Sequence, residues 1–319
     1  MALETLTASD ANTYDILIIG AGPAGLTAAI YGRKANMKVG FIEQEVPGGK
    51  IVNLPEITNY PGHKNISGAD LALNMYNQAT ELGAVYIYGK VTGIVKKQNY
   101  HVAFLENGVN YFAKAIIVAT GTTEIKLNVP GEDEYKNKGI SYCAICDGSL
   151  TKDKVVTVFG NNDVALKDTI YLAGIARKIF LVIKEEKLQS NNDLASAVQR
   201  CSNVEIITNA ECIRVKGDKH KVTDVDIKIN SKEQTLKTDF IFVFVGSHTG
   251  SDFLSANNEL INSDGVIVVD KDQQTKTSGI FAAGDVSKNI YRQISTAVGD
   301  GATATLSAIK FIKLEWQSK

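Results

Sequence analysis

Long apolar runs are missing from this sequence. No stretch reaches the ~18 residues needed to cross a bilayer, and the opening MALETLTASDAN lacks the basic region and apolar core of a secretory signal. A cytoplasmic location, with no membrane partner, is expected. An excess of one charge sign is missing too: 34 basic against 35 acidic side chains give a net charge of −1. That balance removes the electrostatic footprint of a nucleic-acid binder and turns attention to small-molecule and protein partners. Cysteine is scarce, four in 319 residues, far too few for a disulfide-stapled scaffold. Hydrophobic residues at 44% and charged residues at 22% are ordinary globular usage and exclude a disordered or collagen-like chain. The length suffices for two domains, each with its own core.

What is present begins with residues 14–19 (YDILII), a nearly continuous apolar run of the kind buried on both faces of a parallel sheet. Gly20-Ala21-Gly22-Pro23-Ala24-Gly25 follows at once, then an alanine-rich helical stretch, then KVGFIE, a second strand closed by Glu43. Strand, glycine turn, helix and strand is the pattern of a dinucleotide fold. Gly20 permits the tight turn, Gly22 lets the backbone approach a pyrophosphate, and Gly25 lets the helix pack closely on the strand. The helix N-terminus then faces the phosphates. Glu43, 23 residues after Gly20, stands where an acidic side chain binds the ribose hydroxyls of an adenosine.

Near the other end, residues 277–286 (TSGIFAAGDV) read as a short strand running into Gly284-Asp285, and YRQISTAVGDGATATLSAIKFI reads as a helix opening beside small residues. Together with GAGPAG, this resembles the two-part FAD site of the pyridine nucleotide-disulfide oxidoreductases. The resemblance implies that Asp285 holds the ribityl chain, that Arg292 and Gln293 line the flavin, and that the helix from about Ile294 aims its N-terminus at the flavin pyrimidine.

Between these halves lies Cys143-Ala144-Ile145-Cys146-Asp147-Gly148. A metal reading needs two further ligands at partnering spacing. Cys201 and Cys212, with His220 nearby, do not supply them, and both read as buried apolar filler. A redox reading needs only two thiols close enough to cyclise and an acid, Asp147, to carry the proton when a thiolate forms or is consumed. No metal is expected.

C-A-x-C-D-G, with Gly48-Gly49, Asn59-Tyr60-Pro61-Gly62 and Ala119-Thr120-Gly121 before it and Gly284-Asp285 and Arg292-Gln293 after it, resembles the low-molecular-weight thioredoxin reductases from about residue 14 to 311. The resemblance implies an α/β chain of two Rossmann-like dinucleotide-binding domains. The FAD-binding domain is then discontinuous, residues 1–125 and 253–319. Residues 126–252 form an inserted pyridine-nucleotide-like domain carrying the cysteine pair. It also implies a homodimer in which FAD reduces the Cys143–Cys146 disulfide and the dithiol reduces thioredoxin. Cys146, the second cysteine, is then the one nearer the flavin.

The second dinucleotide pattern is eroded. Residues 155–159 (VVTVF) lead into Gly160-Asn161-Asn162-Asp163-Val164-Ala165, where the family has G-x-G-x-x-A, so Asn162 replaces the glycine on which a pyrophosphate rests. The next strand should end in the arginines that clamp the 2′-phosphate of NADPH. This chain reads Ile183-Lys184-Glu185-Glu186, with Gln189 at the later arginine's place, and Gly246-Ser247-His248-Thr249 lacks a proline usual in the family. Losing two charge-assisted hydrogen bonds costs ~3 kcal/mol, over a hundredfold in affinity. Glu185 suits the ribose hydroxyl of NADH, but Asn162 opposes that donor as well.

Selective loss of the pyridine nucleotide resembles the ferredoxin-dependent flavin thioredoxin reductases, and ferredoxin is the expected donor. A ferredoxin near −400 mV lies ~130 mV below thioredoxin, worth ~6 kcal/mol for two electrons. An NADPH- or NADH-dependent thioredoxin reductase is the alternative. A ferredoxin or flavodoxin NADP reductase of the same architecture is a further rival, against which CAICDG counts, and a non-enzymatic flavin-binding module, which a stable FAD spectrum without disulfide turnover would support, is the last. The C-terminal Trp316 is expected to pack on its own helix or a partner subunit, ahead of a role covering the flavin.

Overall fold

The computed structural model describes residues 10–189, 192–254, 260–287 and 291–316. Along the chain, β1 (Thr13–Ile19), α1 (Pro23–Lys34), β2 (Val39–Glu43), α2 (Gly68–Glu81), β3 (Val85–Tyr88), β4 (Val91–Lys96), β5 (His101–Leu105) and β6 (Asn110–Val118) come first. After a crossing strand, β7 (Thr122–Glu124), come β8 (Ile140–Ser141), α3 (Ala144–Asp147), β9 (Val155–Phe159), α4 (Asp163–Ala173), β10 (Lys178–Val182), α5 (Asn192–Gln199) and β11 (Val204–Ile207). Then follow β12 (Ala210–Gly217), β13 (Val222–Ile229), β14 (Lys232–Lys237), β15 (Phe240–Val243), the returning strand β16 (Ser247–Thr249), β17 (Ile280–Ala282) and α6 (Ile294–Trp316). The side chain of Trp316 lies outside the described residues.

Two compact units result, residues 1–123 with 249–319, and residues 124–248. The chain re-enters the first unit at 249, four residues before the boundary expected at 253, because β16 pairs with β7 and so ends beside the strand on which the chain left.

In the first unit the sheet order is β3-β2-β1-β6-β5-β4. β17 lies beside the second half of β6, along the edge whose first half β5 takes. The strands from β3 to β17 run parallel, β5 runs antiparallel to β6, and β4 runs antiparallel to β5. Residues 16–19 of β1 are all buried because both faces of the sheet are covered. Ile16 and Ile18 face the α1 side with Leu26, Phe41 and Phe281, while Leu17 and Ile19 face Ile116 and Val118 on the other. Among the described residues no helix is long and apolar enough to cross a membrane.

The second unit repeats the parallel plan in the order β11-β10-β9-β15-β8, to which the β12-β13-β14 meander is added. The strand VVTVF is observed with the bounds its apolar run indicates. The meander was not read from sequence, because charged residues alternate irregularly with Val222, Val225, Ile227 and Leu236, the side chains it buries.

His101 opens β5 with 3% of its surface exposed, and its Nδ1 has no hydrogen-bond partner among the described residues. It lies against Gly279, where a Cβ would overlap its Nε2. Burial, aided by Lys96, lowers its pKa to about 4. The unfolded chain therefore binds a proton near pH 6.5 that the folded chain refuses until about 4. Stability must fall as pH drops through that window, by roughly 3 kcal/mol in all. His101→Leu should flatten the loss, measured as urea midpoint against pH between 7 and 4.

Candidate active site

β1 ends at Ile19 and the chain turns through Gly20 at φ 104°, where a Cβ would overlap Ala119 O. Ala119-Thr120-Gly121 leaves β6, the parallel neighbour of β1, so the two loops emerge side by side. Gly22 is the N-cap of α1 and supplies no side-chain cap, with Pro23 in the first turn. No atom lies within 4 Å of the place its Cβ would take. α1 therefore offers its first N–H groups, which no helix can satisfy internally, toward open space. A Cβ on Gly25 would overlap Gly20 O, which explains the need for glycine where the helix meets the turn.

The other residues singled out in the first unit gather around this turn. Glu43 Oε2 accepts from Ala21 N at 2.9 Å, while Oε1 accepts from Gln44 N and Glu45 N, so three backbone donors orient the carboxylate. Gly48 N donates to Ala21 O at 2.7 Å, and a Cβ on Gly49 would lie 3.2 Å from Gly22 Cα. Gly284, at φ 75°, packs on α1, with Ala24 Cβ 3.0 Å from the place of its absent Cβ. Asp285 lies 3.7 Å from Lys50 Nζ, which donates to Thr122 Oγ1 at 2.7 Å. Asn59 Nδ2 donates to Gln293 Oε1 at 3.2 Å, Arg292 is exposed, and Ile294 opens α6 half-buried. Lys50 and Thr122 were missed by sequence reasoning, because only the fold sets them beside Asp285.

These residues fit FAD. The helix N-terminus is uncapped, the face of Gly22 is open where a Cβ would fill it, and the buried Thr120 Oγ1 has no partner among the described residues.

The matching turn in the second unit is closed by its own side chains. Asn162 caps α4: its Oδ1 accepts from Ala165 N at 2.9 Å and its Nδ2 donates to Phe244 O at 2.7 Å. Asn161 Nδ2 donates to Glu185 Oε2 at 2.7 Å and to Lys187 O at 3.1 Å, and its Oδ1 accepts from Gln189 N at 3.0 Å. The helix donor that would meet a phosphate already has a partner.

Cys143 and Cys146 form a disulfide across the single turn of α3, with Cα atoms 5.3 Å apart. Cys146 N donates to Cys143 Sγ at 3.2 Å, and Asp147 N to Cys143 O at 3.2 Å. Asp147 Oδ2 accepts from Ser141 Oγ at 2.5 Å. Cys201 and Cys212 are free thiols, and burial pushes Cys212 up to about 12, so it is not a reactive thiolate.

Glu132 was also missed from sequence. It is 2% exposed and accepts from Tyr142 OH at 2.8 Å and from the backbone N–H groups of Leu127 and Asn128. Burial and the Glu132 carboxylate hold the Tyr142 phenol far above its ordinary pKa, so it remains a donor next to Cys143. Glu132, one of two Glu in the charged run GEDEYK, carries no signal of this in the sequence.

The family description "Pyridine nucleotide-disulphide oxidoreductase" matches residues 14–301. A thioredoxin reductase of Listeria innocua is 38% identical over 309 residues, 96% of each chain, and one of Bacillus subtilis 35% over 307, again 96% of each. The crystal structure of a thioredoxin reductase from Streptococcus pyogenes aligns with a TM-score of 0.89 at 36% identity, covering 95% of this chain and 99% of that one. This chain belongs to the low-molecular-weight thioredoxin reductases. It is an FAD-dependent disulfide oxidoreductase with the two Rossmann-like domains of that family.

Because Glu132 satisfies three donors, Glu132→Ala leaves buried groups unpaired and should cost about 3 kcal/mol or more. Glu132→Gln keeps a carbonyl acceptor and should cost less. Urea unfolding of the oxidised protein, followed by tyrosine fluorescence, measures both.

Proposed function

We propose that this chain carries electrons from FAD, held in the first unit, through the Cys143–Cys146 disulfide to a thioredoxin. The observation that carries the reading is the disulfide with a carboxylate, Asp147, at the end of the same turn, hydrogen-bonded to Ser141 Oγ just before it. The FAD site consists of Gly20, Gly22, Pro23, Ala24, Gly25, Glu43, Gly48, Gly49, Asn59, Ala119, Thr120, Gly121, Gly284, Asp285, Arg292, Gln293 and Ile294. The dithiol machinery is Cys143, Cys146 and Asp147. FAD, once reduced, supplies the electron pair that opens the S–S bond. The protein's own part is to keep that bond on a short turn and to set a carboxylate beside it that can pass a proton. The same family reading carries a homodimer and a cytoplasmic location.

For the electron donor the named relatives favour a pyridine nucleotide, and NADPH is the reading they support best. A second reading, a low-potential ferredoxin, is favoured by one observation: Asn162 occupies the α4 cap and Glu185 is clasped by Asn161. With no arginine between Arg177 and Arg200, the 2′-phosphate also has no bidentate partner in this stretch.

Anaerobic titration of the flavin absorbance with NADPH, NADH and reduced ferredoxin in turn decides the donor. The clasped loop should weaken NADPH by about a hundredfold against a loop with the two arginines. Asn162→Gly should tighten it. Rapid bleaching at micromolar NADPH rejects the ferredoxin reading, and bleaching by ferredoxin alone rejects the nucleotide reading.

The thiols are tested separately. Cys146→Ser should bind FAD yet lose disulfide reduction, and Cys143→Ser should retain a thiol that traps thioredoxin as a mixed disulfide. Both are read from non-reducing gels and the flavin spectrum. Substantial thioredoxin turnover by Cys146→Ser would overturn the assignment.

A further inference from the structure

Ser141 ends β8 two residues before the disulfide and is 5% exposed. Its Oγ lies 2.5 Å from Asp147 Oδ2, 3.1 Å from Cys143 N and 3.3 Å from Cys143 O. A hydroxyl has one hydrogen to donate and two lone pairs to accept with. The short contact to the carboxylate takes the hydrogen, and the Cys143 N–H donates to the same oxygen. The result is a chain of two hydrogen bonds from the backbone of the first cysteine to the acid that follows the second.

The order of events at the turn makes this chain matter. In the oxidised state the segment is closed by the S–S bond, by Cys146 N to Cys143 Sγ and Asp147 N to Cys143 O, and by the Ser141 bridge. α3 is a single turn of four residues, too short to be stable by itself. When the disulfide takes two electrons the S–S bond breaks. One sulfur becomes a thiol by taking a proton that Asp147 passes on from water, and the other remains a thiolate. The covalent tie is lost in the same step that uses the acid. The backbone still joins Asp147 to Cys146, but among the described residues the hydrogen bond that orients the carboxylate itself comes from Ser141.

We propose that Ser141 is a positioning residue for the dithiol step, holding Asp147 Oδ2 so that the other carboxylate oxygen delivers and recovers the proton at the opened Cys143–Cys146 pair. This rests on the proposed role of Asp147. Ser141 touches neither cofactor nor substrate and acts only through that carboxylate.

The test is a double-mutant cycle on full-length, FAD-loaded protein: Ser141→Ala, Asp147→Asn and the pair, with Ser141→Thr as the conservative variant. The reaction followed is oxidation of the pre-reduced dithiol by thioredoxin in stopped flow without oxygen, alongside melting temperature and flavin spectrum. Ser141→Ala should slow the step about tenfold, the equivalent of one lost hydrogen bond in the reacting arrangement. Ser141→Thr should restore most of the rate, and Ser141→Ala should add nothing to Asp147→Asn. Equal slowing by Ser141→Ala in both backgrounds would show that the serine acts as a structural residue and overturn the proposal, and so would an unchanged rate in Ser141→Ala. Should Ser141→Thr melt early, the cycle alone carries the decision. If Asp147→Asn is as fast as the parent, the role of Asp147 fails; if it is slow and Ser141→Ala is not, only the positioning role fails.

Discussion

Backbone meets backbone, with no side chain between, where α1 crosses its neighbours, and the geometry of the first unit depends on that contact. A Cβ on Gly25 would overlap Gly20 O, and one on Gly301 of α6 would overlap Ala24 O. α1 is thus pressed against its own entry turn at one point and against α6 at another. Either added methyl group has to push the helix outward, at a cost of about 1–3 kcal/mol in such packed surroundings. The displacement matters more than the energy. The N-terminus of α1, the Gly48-Gly49 turn and Gly284 are spaced by these contacts, and a shift of an ångström there misplaces every backbone donor at once.

Both units face the same demand at the N-terminus of a helix that follows a sheet strand: the first N–H groups need an acceptor. They answer it in opposite ways. α1 has glycine at its cap and leaves the donors outward, which creates a use for an anionic ligand. α4 has Asn162 at its cap and satisfies a donor internally, and Asn161 ties the neighbouring loop to Glu185 and Gln189. One fold duplicated in a single chain therefore has an open phosphate-type turn and a closed one, and the difference lies in a side chain.

The redox segment works under another constraint. A one-turn helix cannot hold itself, so its shape comes from what surrounds it. Glu132 grips Tyr142 on the N-terminal side of the disulfide and Ser141 grips Asp147 on the C-terminal side. A buried carboxylate is costly unless donors surround it, and Glu132 has three.

GAGPAG, the apolar strand before it, Glu43 at the end of the next strand, the C-x-x-C-D pair and the Gly284-Asp285 turn were all legible in the sequence, because each is local: a turn, a strand period or a two-residue spacing is written in consecutive residues. The exchange of glycine for Asn162 was equally legible, though not that its amide would reach Phe244 O, 82 residues away. Glu132, Ser141, Lys50 and the buried His101 carried no local signal. The partners of Lys50 and His101 are distant in sequence, those of Glu132 and Ser141 are close but meet only through the folded turn, and an isolated Glu, Ser, Lys or His has the same composition on a solvated face as in a core. The sequence by itself determined the strands and helices that flank the two dinucleotide turns and where the chemistry-bearing side chains stand along them. Only the tertiary structure decided which buried polar groups find a partner, because desolvation and hydrogen bonding depend on what the fold packs against each one.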